Sequence, residues 1–121
     1  MAAPNLKNPT TITGMTTSVG IGTTAVTGIL TNTAGSNKVL KINSIFCANV
    51  DGNAAIDVSI SILRNNTDRW IARTISVPVD ATQIISTKDT YFYLEEGVGM
   101  RGQVGLASGI DITIGYEEIE R

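Results

Sequence analysis

The sequence predicts an all-β fold: a single-domain β-sandwich, Ig-like or jelly-roll, of eight or nine short, mostly antiparallel strands. Three observations carry this expectation. Apolar and polar residues alternate with a period of two along much of the chain, the mark of strands with one buried face. Turn signals such as Asp51-Gly52, Glu95-Glu96-Gly97 and Ser108-Gly109 set the strands roughly 10–12 residues apart, the spacing of a sandwich or a small barrel, of which the sandwich is preferred. The aliphatic residues are mostly Ile and Val, Thr is abundant and there are 12 glycines, a composition of strands and turns. No helical period and no internal repeat accompanies them.

A chain of 121 residues is one domain and can bury a core without disulfides or a metal. It divides into an extended N-terminal arm, residues 1–9, and a sandwich domain, residues 10–121. Pro4 and Pro9 make the arm extended, since proline lacks an N–H and resists the interior of a sheet. Between Ala2 and Pro9 only Leu6 and the two prolines offer much apolar surface, which makes Pro4, Leu6 and Pro9 candidate partner contacts. Residues 10–21 and 24–34 alternate weakly, with Ile12 and Met15 on different faces, as expected of strands near an edge.

The segment Lys38–Arg64 reads as two strands joined at Asp51-Gly52, a hairpin at the centre of a sheet. In the first strand Leu40, Ile42, Phe46, Ala48 and Val50 share a face, interrupted by Ser44. In the second, Ile56, Val58, Ile60 and Ile62 oppose Asp57, Ser59 and Ser61. Phe46 and Ile60 are therefore expected in the core. Val39, Ile45 and Cys47 are left as apolar residues on the polar side, to be covered by a loop, the arm or a second subunit. Asn65-Asn66-Thr67-Asp68 makes a turn. Trp70 to Val79 reads as a strand with Ile71, Ile75 and Val77 on one face. Short strands follow at Thr82–Thr87 and Tyr91–Glu95, then Met100–Ala107 with Met100, Val104 and Leu106 in register. The last strand places Ile110, Ile112, Ile114 and Tyr116 on one face and runs into an acidic tail.

The net charge of −2 and pI near 4.9 argue against a nucleic-acid partner, which calls for a basic face, and against an electrostatic membrane anchor. No run approaches the ~18 apolar residues of a membrane span. The opening residues lack the apolar stretch of a secretory signal, and the single cysteine, Cys47, forms no internal disulfide and suits a reducing compartment.

The chain contains no histidine, which removes the commonest general base, the serine-histidine arrangements and most zinc sites. Cys47 has no evident base or cationic neighbour and reads as a packed residue. Glu95 and Glu96 are adjacent and point to opposite faces, which suits a solvated turn better than paired acid/base work. Asp51-Gly52-Asn53 lacks the later ligands of a calcium loop. Gly20-Ile21-Gly22 and Gly97-Val98-Gly99 open no helix, so neither is a phosphate loop. Arg69, Trp70 and Arg73, with Tyr91 and Tyr93, are the residue types that anchor protein partners or stack on a sugar. No cofactor, metal site or enzymatic activity is expected.

Over its whole length the chain resembles a group of small virion proteins of tailed phages that infect marine cyanobacteria. The resemblance lies in "MAAPNL" followed by "TTITG", "NKVLKINSI" with "ANVDG", "SVPVDA", "YLEE" and the closing "YEEI". It implies a structural role in the virion, assembled in the host bacterial cytoplasm. The expectation is a capsid decoration (cement) protein on the head surface, homo-oligomeric, with the major capsid protein or another virion protein as partner. The alternative is a tail, neck or fibre-associated subunit that touches a host surface glycan.

Overall fold

The computed structural model describes residues 9–120. Of the expected arm, Pro9 falls among them; Pro4 and Leu6 lie outside the described residues. Among the described residues the chain forms nine strands: β1 (Thr11–Gly20), β2 (Thr27–Thr31), β3 (Lys38–Asn49), β4 (Ile56–Arg64), β5 (Thr67–Val77), β6 (Thr82–Ser86), β7 (Phe92–Leu94), β8 (Gly99–Val104) and β9 (Ile110–Glu120). A 3-10 turn at Lys88–Thr90 separates β6 from β7.

Sheet A has the order β1-β9-β3-β6, with β7 also pairing β3; sheet B has the order β2-β8-β4-β5. All pairs are antiparallel. The chain changes sheets at every connection except β4–β5 and β6–β7. That alternation is the jelly-roll arrangement of interlocked Greek keys. An Ig sandwich would instead keep its first two strands in one sheet. β1 and β2 lie at sheet edges, as their weak alternation predicts.

The expected central hairpin does not form. β3 sits in sheet A between β9 and β6/β7, and β4 sits in sheet B between β8 and β5. Asp51-Gly52 therefore lies in a crossover between sheets. The hairpin is the next turn along: Asn65 and Asn66 have φ of 53° and 59°, two successive left-handed residues that suit the twist of the flanking β4 and β5.

The core fills the space between the sheets. From sheet A come Leu40, Ile42, Ile45, Cys47, Leu94, Ile110, Ile112, Ile114 and Tyr116; from sheet B come Ile56, Val58, Ile60, Val77, Met100 and Val104. The four residues expected on one face of the last strand are all buried, and β9 extends through the acidic segment to Glu120. The face assigned to β3 is correct only at its start. A bulge at Asn43 moves the pairing from Ile42 opposite Tyr116 to Ser44 opposite Gly115. One extra residue reverses the parity of everything after it. Ile45 and Cys47 are fully buried, while Phe46 is 36% and Val50 52% exposed. Phe46 is thus an outward-facing residue and not part of the core.

Bulges also alter β5, where register breaks opposite Ile60 put Ala72, Ile75 and Val77 inward and leave Ile71 exposed. β8 ends at Val104, so Leu106 falls in the following turn and is exposed.

Two buried asparagines hold the crossovers. Asn32 donates from Nδ2 to the Lys38 and Leu94 carbonyls, both at 2.9 Å, and accepts from Ser36 Oγ at 2.7 Å. Asn49 donates to the Ala54 carbonyl at 2.9 Å and the Val77 carbonyl at 3.0 Å, and accepts from the Asp51 N–H. Between them the two amides bond carbonyls at the ends of β3, β5 and β7 and one in the β3–β4 crossover.

Candidate functional site

The outer face of sheet B carries a hydrogen-bonded polar array. Ser61 lies opposite Arg101 on β8 and Trp70 on β5, and Ser59 lies opposite Gln103. Since Ile56, Val58 and Ile60 point inward, these partners point outward. Ser59 and Ser61 are nevertheless buried.

Two groups build this surface. In the first, Arg101 grips the Asp68 carboxylate with two nitrogens, its Nε at 2.9 Å from Oδ1, while Ser61 Oγ donates to Oδ1 at 2.9 Å. The Arg101 hydrogen bonds hold the Asp68 carboxyl below its ordinary pKa. In the second, the Arg73 guanidinium lies over the Trp70 ring, 4.3 Å from its centroid. Arg73 Nη1 donates to Gln103 Oε1 at 3.3 Å, and Gln103 Nε2 donates to the Thr24 carbonyl at 3.2 Å.

Beside this second group is an open cleft of about 310 Å³ lined by Thr24, Asp57, Ser59, Arg73, Thr74 and Gln103. Thr74 has φ 55°, a conformation β-branched residues rarely adopt. It belongs to the irregular stretch of β5 opposite Ser59, whose Oγ accepts from the Thr74 N–H at 2.9 Å.

The aromatic residues expected to accompany Trp70 sit on the other sheet. Tyr93 is on β7, opposite Lys41 of β3, and its ring meets Tyr91 edge-on at 5.8 Å between centroids. Lys41 Nζ lies 4.4 Å from the Tyr91 centroid. The expected cluster is therefore two: Trp70 with Arg73 on sheet B, and Tyr91 with Tyr93 on sheet A. Arg69 is exposed on β5 and Pro9 is half-buried before β1. The carboxylates Glu95 and Glu96 do lie in a turn, Glu95 paired with Arg64 at 2.6 Å and Glu96 accepting from the Asn37 N–H at 2.9 Å.

Sequence reasoning missed the outer face of sheet A. Phe46 lies opposite Ile84 on one side and Thr113 on the other, and Thr113 pairs in turn with Ser18. The row Ser18, Thr113, Phe46, Ile84 crosses all four strands of the sheet path without a charge. Ile84 is 52% exposed. The bulge at Asn43 turns Phe46 onto this face, where unbroken alternation would have put it in the core.

Burial pushes the Cys47 thiol up to about 12, which keeps it neutral and unreactive. Among the described residues no three His, Cys, Asp or Glu side chains gather as a metal site, and no helix is long and apolar enough to cross a membrane.

No family model and no curated protein matches the chain. Among solved structures, the nucleoplasmin-like N-terminal domain of Drosophila FKBP39 is similar over 94% of this chain and 94% of its own, with a TM-score of 0.46 and 6% identity. The structure of infectious bursal disease virus Gt strain is similar over 90% of this chain, with a TM-score of 0.37 and 8% identity. There the match spans 32% of the viral chain. At these identities the likeness concerns the fold alone.

Proposed function

We propose that the chain is a non-enzymatic structural subunit of a phage virion and, within it, a decoration protein held in many copies on the head surface. The observation that carries this reading is the uncharged row across the outer face of sheet A, in which Phe46 and Ile84 stand exposed side by side. Adjacent apolar side chains exposed on an uncharged sheet face offer a contact surface to a partner. The resemblance of "NKVLKINSI", "SVPVDA" and "YEEI" to small cyanophage virion proteins supplies the setting. A self-contained jelly roll suits a subunit that adds surface and contacts to a shell. The arm at residues 1–9 is proposed as a second contact, reaching a neighbouring subunit.

The test is the position and stoichiometry of the chain in purified particles, by cryo-EM and quantitative mass spectrometry. A decoration protein occurs at a fixed ratio to the major capsid protein and gives jelly-roll density on the head lattice. Density confined to the tail, neck or fibres contradicts the head assignment, and absence from the particle contradicts the virion role.

A further inference from the structure

We propose that the cleft on the outer face of sheet B binds a neutral saccharide through vicinal hydroxyl groups. The first ground is the balance of charge in its lining. Asp57 brings one carboxylate and Arg73 one guanidinium, and the remaining polar groups, Thr24, Ser59, Thr74 and Gln103, are uncharged. An anion would meet Asp57 and a cation would meet Arg73. A neutral ligand rich in hydroxyls satisfies both, donating to the carboxylate and accepting from the guanidinium.

The second ground is preorganisation. Arg73 is fixed from one side by the Trp70 ring and from another by Gln103, and Gln103 is fixed in turn by the Thr24 carbonyl. Trp70 therefore serves to hold a polar donor, which differs from stacking on the sugar itself. Asp57 Oδ1 and Oδ2 make no hydrogen bond among the described residues and remain available as acceptors. Side chains already held in place lose little freedom when a ligand arrives.

The third ground is strain. Thr74 keeps a left-handed backbone inside a strand, at the rim of this cleft, with its N–H tied to buried Ser59. Backbone strain of this kind concentrates at ligand sites. At about 310 Å³ the cleft lies at the lower end of the roughly 300–1,000 Å³ range of small-molecule sites and suits one or two sugar rings.

The experiment uses the purified full chain, labelled with nitrogen-15 and titrated with methyl α-glucoside, methyl α-mannoside and methyl β-galactoside. Glucuronate and glucosamine serve as charged controls. At least one neutral glycoside is expected to shift the amides of Thr24, Thr74 and Gln103, with a dissociation constant on the order of 1–10 mM. Asp57→Ala and Gln103→Ala should each weaken it about tenfold or more without moving the melting temperature. The wild-type map stands even where one variant fails to fold. No shift at the cleft with any neutral glycoside overturns the proposal, as does binding undiminished in both variants or binding of a charged control alone. Because the isolated chain is used, the outcome is independent of the chain's place in a virion.

Discussion

Asn32 and Asn49 perform the same task at opposite ends of β3. Each is buried, and each uses its amide to tie two backbone carbonyls from separate segments where the chain leaves one sheet for the other. The jelly roll depends on these crossovers, because so few of its connections are hairpins. Asn49→Ala should leave the buried Val77 carbonyl without this donor. The expected loss is about 1–3 kcal/mol, read from chemical denaturation. Asn49→Asp should lose at least as much, since a carboxylate would face the same carbonyls.

Ile60 and Phe46 should part company in the same measurement. Ile60 is fully buried between the sheets, so Ile60→Ala should cost about 2–5 kcal/mol through lost transfer energy and a cavity. Phe46 faces outward, and Phe46→Ser should cost no more than about 1 kcal/mol. A large loss at Phe46 would mean that the bulge at Asn43 is misplaced.

How much of this the residues reveal depends on local regularity. Ile110, Ile112, Ile114 and Tyr116 are uninterrupted, and their face is legible directly. β3 is equally apolar, yet its bulge gives no signal, because Asn43 looks like any polar position in an alternating strand. Asp51-Gly52 resembles a hairpin turn more strongly than Asn65-Asn66 does. The choice between them is settled by non-local pairing of β4 with β8 and β3 with β9, which local pattern does not encode. At the candidate site, Trp70 and Arg73 are close in sequence and were legible together. Thr24, Asp57 and Gln103 reach the same cleft from three other segments, and nothing local joins them.

Cys47 should be silent to thiol reagents. Its burial and raised pKa keep the thiolate fraction negligible near neutral pH. Reaction with a disulfide reagent at about pH 8 should be absent in the native chain and complete in denaturant. Fast native labelling would show that the interior around β3 opens readily.

Acid should weaken the sandwich partly through Asp68. Its folded pKa is lowered, chiefly by the hydrogen bonds from Arg101, so its contribution is present above the unfolded value and is lost as pH falls through the folded one. The melting temperature should drop below about pH 4. Asp68→Asn should melt lower than wild type near neutrality and converge with it in acid. Parallel curves across the whole range would show that the Asp68–Arg101 pair contributes nothing to the acid response.

The central claim is that the outer face of sheet A is the surface by which the subunit joins a particle. The most direct measurement is co-sedimentation of the Phe46→Ser, Ile84→Ser double variant with particles that lack the chain, alongside its thermal melt. The account predicts a melt close to that of wild type together with loss of particle binding. A folded double variant that binds particles as well as wild type would contradict it.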